Sequence, residues 1–158
     1  MNRSQANSAF SQNVIPLPTT STRVMVFEPS HVWREPVMMR LKELVQDLKQ
    51  GWDGYIGLPV SLENATFALR MLEAVCGTKA STPQVVPGSS GDLQIEWHTL
   101  KGDIELHVIS PNRVRAWRQW VGGDEDGESL DLTIDFGTVA TWVREMTEPD
   151  LAVAAAAA

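Results

Sequence analysis

The spacing of apolar residues along this chain changes character near residue 92. Before that point they recur every three or four positions. In REPVMMRLKELVQDLKQG, residues Val37, Leu41, Leu44, Val45 and Leu48 fall on one face of a helix, while Glu43 and Asp47 point elsewhere. Pro36 suits a first helical turn, where a missing N–H costs nothing, and Gly51 is the expected left-handed terminator. A second helix should begin after Ser61, whose hydroxyl can cap it, with Glu63 in the first turn. Its apolar stripe is Leu62, Ala65, Leu69, Leu72 and Val75, and Gly77 ends it.

Beyond residue 92 apolar and polar residues alternate. In DLQIEWHTLKGDIELHVIS, Leu93, Ile95 and Trp97 share one face, and Ile104, Leu106 and Val108 match them across Lys101-Gly102. That is the pattern of a half-buried β-hairpin. NRVRAWRQWV reads as a third strand after a turn at Pro111-Asn112, and SLDLTID as a fourth, with Leu130, Leu132 and Ile134 inward. FGTVATWVREM reads as a last helix built on Val139, Trp142, Val143 and Met146, with Asp135 as its cap. Segregated runs of helix and strand predict an α+β domain. Two N-terminal helices pack on a four-stranded antiparallel sheet, a C-terminal helix follows, and one sheet face stays open. Residues 1–22 are polar, aperiodic and expected to form a flexible arm. Residues 23–147 form the domain, with RVMVF (Arg23 to Phe27) as a short edge strand, and 148–158 form a low-complexity, Ala-rich tail.

Composition narrows the setting. The chain has 158 residues, enough for one core without disulfides or metal, and Cys76 is its single cysteine. The N-terminus has no continuous apolar stretch of the signal-peptide kind, and no run approaches the ~20 apolar residues of a membrane span. A cytoplasmic protein without a membrane partner is expected. The net charge of -7 disfavours nucleic acid, which is bound through cationic side chains, and favours a basic protein partner. No Gly-rich phosphate loop with a lysine occurs, and no cofactor is implied.

Between the first two helices lies LKQGWDGYIGLPVS, with two aromatics among three glycines. Gly51 and Gly54 can reverse the chain, and Asp53 can bond backbone N–H groups ahead of it. Trp52 and Tyr55 are then expected as plugs over the end of the helix pair, a recognition loop being the other reading. This stretch, the helix after it, PQVVPGSSGDLQIEWH and DIELHV resemble an uncharacterised group of small bacterial proteins. Their pattern is a Gly/Asn-Trp-Asp-Gly/Ser-Tyr-Gly-Ala-x-Pro loop followed by Pro-x-Val-x-Pro, Leu-Glu-Trp and Leu-Glu-Ile segments. The likeness covers roughly residues 40 to 109, with Ile56, Gly57 and Ile95 standing where the pattern has Gly, Ala and Leu. It implies a small α+β domain and no activity.

Three surfaces could carry function. On the polar face of the hairpin, a two-residue Lys101-Gly102 turn sets His98 opposite Glu105 and Glu96 opposite His107. Two imidazoles and two carboxylates could converge on a divalent metal, as in a hydrolase or nuclease, or form a solvated network of opposite charges. On the third strand, Arg113, Arg115 and Arg118 are interleaved with Trp117 and Trp120. Such a stripe suits a protein interface or stacked single strands, unless the tryptophans pack inward under arginine stems. Trp117 and Trp120 are three apart, so they should point to opposite faces. The acidic GGDEDGES lacks the spacing of a calcium loop and reads as a solvated turn. LAVAAAAA resembles the tails that bacterial unfoldases recognise. The sequence thus favours a non-enzymatic module that binds another protein, antitoxin-like or directed against host defence. A homodimer through the exposed sheet face and a metal-dependent hydrolase are the further readings.

Overall fold

The computed structural model describes residues 31–149. The polar arm, the RVMVF segment and nearly all of the Ala-rich tail lie outside the described residues. The elements are α1 (Arg34–Gln46), α2 (Leu62–Val75), β1 (Gln84–Pro87), β2 (Leu93–Thr99), β3 (Gly102–Ser110), β4 (Arg113–Trp120), β5 (Glu128–Leu132) and α3 (Gly137–Thr147). The strands form one antiparallel sheet in the order β1-β2-β3-β4-β5. The class is α+β, as the periodicity predicts, but the sheet has five strands rather than four. The additional strand, QVVP, has Val85 as its one buried residue and ends in a proline, so alternation has no length in which to show.

The helices arise where the apolar spacing places them. In α1, Val37, Leu41 and Leu44 are buried. The helix stops at Gln46, earlier than Gly51; that glycine instead supplies a positive φ (80°) in the turn that follows. In α2 the Ser61 hydroxyl accepts from Asn64 N at 3.1 Å, the expected cap. The buried face is Ala65, Ala68, Met71, Leu72 and Val75, rotated so that Leu62 is exposed. All four expected core residues of α3 are buried, but its N-cap is Phe136 rather than the expected Asp135, whose Oδ1 accepts from Gly137 N at 2.9 Å from one residue further out. Leu93, Ile95, Trp97, Ile104, Leu106, Val108, Val114 and Ala116 meet these helices in a single core. The fourth expected strand ends at Leu132, and Ile134, expected inward, is 76% exposed. Alternation in the sequence outlasts the ladder that would bury it.

The hairpin turns on Leu100 and Lys101, with Thr99 opposite Gly102. This pair closes a two-residue turn and must be hydrogen-bonded, so Leu93, Ile95, Trp97 and Thr99 direct their backbone groups to β3. Alternation carried outward leaves Val85 and Pro87 facing the outer edge of β1, and Ser129 and Asp131 facing the outer edge of β5, edges that carry no further strand among the described residues. An independent contact agrees: Arg40 Nε donates to the outward Val85 carbonyl at 3.1 Å. Among the described residues no helix covers the second face of the sheet, where Gln94, Glu96, His98, Asp103, Glu105 and His107 are half-buried or exposed. No described helix is long and apolar enough to cross a membrane.

Candidate functional site

The loop from Gly51 to Ser61 is fixed from within. Asp53 Oδ1 accepts from Tyr55 N and Gly57 N, both at 2.9 Å. These two backbone donors hold the Asp53 carboxyl below its ordinary range. Gly51 N donates to Gly57 O at 2.7 Å, and Trp52 Nε1 donates to Leu58 O at 3.0 Å. Gly51 and Gly54 take φ of 80° and 84°, which side chains rarely allow.

The base of the loop is welded to the connection between β1 and β2. Leu58 N donates to Ser89 O at 2.9 Å, and Ser61 N to Gly91 O at 3.0 Å. The buried amide of Asn64 also donates to Gly91 O, at 2.8 Å. The place expected for the aromatic plugs is taken by Val60, which is buried and donates its N–H to Leu44 O at 3.2 Å. Tyr55 therefore projects outward, 86% exposed, with Ile56 beside it at 81%. Trp52 is half in and half out, at 37%. The plug expectation is corrected for Tyr55, and Ile56, which the sequence reading passed over, joins it at the tip. The signal for Ile56 was available, since an apolar side chain between Tyr55 and Gly57 in a reversing loop has no helical neighbour to pack on.

The open sheet face is polar and ordered in rows. One row runs Val86, Gln94, His107, Arg115, Asp131; the next runs Gln84, Glu96, Glu105, Trp117, Ser129; the third runs His98, Asp103, Gln119. The expected pairings His98–Glu105 and Glu96–His107 are thus replaced. The true turn lies one residue earlier in the chain, which slides the partners by two and keeps every side chain on its face. His98 joins Asp103 Oδ1 through Nδ1 at 2.9 Å and Glu96 Oε2 through Nε2 at 3.2 Å. His107 bonds Asp92 Oδ2 instead, and Asp92 Oδ1 accepts from Ser90 N at 2.9 Å. Burial pushes the Asp92 carboxyl up, but the bonds from His107 and Ser90 outweigh it and leave it below its ordinary range. The two imidazoles belong to separate carboxylate clusters. Among the described residues no group of three or more His, Cys, Asp or Glu side chains is placed to hold a metal ion.

The bond to Asp103, and then that to Glu96, raises the His98 pKa above its ordinary 6.5. A raised pKa stabilises the fold fully below the unfolded value and loses that contribution as pH rises through the folded value. The hairpin is therefore expected to hold more firmly at pH 6 than at pH 8, and His98→Gln should flatten this slope. Urea midpoints at the two pH values check it; a wild-type slope unchanged in His98→Gln contradicts it. The exposed setting keeps the effect small.

The Arg/Trp stripe is divided between two faces. Arg113, Arg115 and Trp117 lie toward the open face, while Arg118 sits opposite Ile104 on the helix side, with Trp120 opposite Gly102. The Arg118 guanidinium lies over Trp142 at 4.6 Å and Trp120 at 5.5 Å. It pairs with Glu128 at 2.8 Å and Glu145 at 3.4 Å. Arg115 faces Asp131, and Trp117 Nε1 donates to Asp126 O at 3.0 Å, pinning the acidic loop. Trp117 and Trp120 therefore point to opposite faces, as their spacing predicts, and the five side chains do not form one surface. No protein-family model matches this chain, and neither a curated protein nor a solved structure does.

Proposed function

We propose that the chain is a protein-binding module whose recognition element is the loop tip around Tyr55 and Ile56, flanked by Trp52 and Leu58. The observation that carries this reading is the pairing of near-complete exposure at Tyr55 and Ile56 with a backbone clamped by Asp53. Large apolar side chains held out on a stiff loop do nothing for the fold. They lose little freedom on meeting a partner, which is what an anchor residue requires. The acidic net charge suits a basic protein surface. A neutralising role, antitoxin-like or anti-defence, is the use we assign to such a module.

Tyr55→Ser combined with Ile56→Ser should shift stability by less than about 0.5 kcal/mol, because both side chains are exposed. The same pair should weaken partner binding at least about tenfold. A photo-cross-linking residue at position 56, in the cells that make the protein, should give one discrete adduct. The same group at Glu35, on the solvent side of α1, should not. Equal labelling from both positions, or none from either, would remove the loop as the recognition element.

A further inference from the structure

We propose that two copies of this chain pair edge to edge through β5, antiparallel about a two-fold axis at Leu130, so that one sheet runs through both. The two edges of the sheet are unlike. On β1 the outward positions are Val85, whose carbonyl is taken by Arg40, and Pro87, which has no N–H, with the buried Pro83 just before the strand. That edge is closed to a further strand. On β5 the outward N–H and C=O groups of Ser129 and Asp131 have no backbone partner among the described residues. An unpaired edge of this kind is a template for another strand.

The sequence of β5 says which strand fits. Set against itself about Leu130, ESLDL places Ser129 opposite Asp131 and Glu128 opposite Leu132. No carboxylate then faces a carboxylate, and both outward residues fall in hydrogen-bonded pairs. Moving the axis to Asp131 would bring the two Asp131 side chains together. The edge acids are also engaged within their own chain, Glu128 by Arg118 and Asp131 by Arg115, so two acidic chains can approach here. Leu130 and Leu132 are only half-buried, and the second copy would cover them. Because β1 is closed, pairing stops at two copies and does not continue into a filament.

This inference is independent of the loop reading. Sedimentation of the full chain should show a monomer–dimer equilibrium. Asp131→Pro removes an outward N–H and leaves the β4–β5 ladder intact, so it should shift dimerisation at least tenfold while thermal unfolding stays cooperative. Leu130→Cys should form an intermolecular disulfide under mild oxidation. Cys76 will not compete, since burial pushes its thiol up to about 12. A wild-type chain that stays monomeric up to about 1 mM overturns the proposal. So does a dimer that persists in a folded Asp131→Pro variant, or one that leaves Leu130→Cys uncross-linked. Should Asp131→Pro fail to fold, the Leu130→Cys cross-link decides.

Discussion

Gly102→Ala is expected to remove about 3–5 kcal/mol of stability, a large part of what a domain of this size has. A Cβ at this position would stand 2.0 Å from Gln119 O and 2.9 Å from Trp120 Cα. Both are backbone atoms of the neighbouring strand, so no side chain can swing aside. The residue also sits at φ +150°, where L side chains are strained. Moving β4 away would undo its pairing with β3 opposite Trp120 and Gln119, and bending the turn at Gly102 away from β4 would break the Thr99 bonds. Thr99 Oγ1 accepts from Lys101 N and Gly102 N at 3.1 and 3.2 Å, and donates to Gly102 O at 3.0 Å. Denaturant unfolding followed by circular dichroism measures the loss. A change below about 1 kcal/mol would mean that the two strands are not held as described.

Trp142→Ala is expected to cost about 3–5 kcal/mol by a different route. The indole is 2% exposed in the middle of α3 and fills the core between that helix and the sheet. Removing it leaves a void that the rigid surroundings cannot close. It also uncovers the underside of Arg118, whose guanidinium rests on the ring at 4.6 Å. Denaturant midpoints give the total. A double-mutant cycle with Arg118→Ala separates the stacking, expected at about 1 kcal/mol, from the void. A cycle with no coupling would assign the whole loss to packing.

How much of this was legible in the sequence depends on the length over which a period persists. Val139, Trp142, Val143 and Met146 span two turns of one helix, and the structure buries all four. The hairpin alternates over enough residues to fix its inner and outer faces. Its register was not fixed by alternation, because a slide of two residues leaves every face unchanged. Only the turn decides, and Leu100-Lys101 carries none of the glycine or asparagine chemistry that would have marked it. β1 was too short to show a period, and Ile134 continues a period after its ladder has ended. The sequence groups Arg118 with Arg113 and Arg115, and its inward position becomes intelligible only with Trp142 and Glu145 beneath it, from a helix distant in sequence. The exposure of Tyr55 was hidden for a related reason. Val60 fills the end of the core, and nothing local announces that the space is already taken.

The tip of the β2–β3 hairpin does more than reverse the chain. Lys101 Nζ donates to Glu145 O at 2.9 Å, in the last turn of α3, and to Glu148 O at 3.4 Å, at its C-cap. A cation there answers the negative end of the helix and ties the final described element to the sheet's second turn. The practical corollary concerns where the polypeptide can be cut or extended. A tag or fusion partner joined beyond Pro149 leaves this knot tied, whereas a truncation at Arg144 removes both acceptor carbonyls and loosens the hairpin tip from a distance of more than forty residues along the backbone.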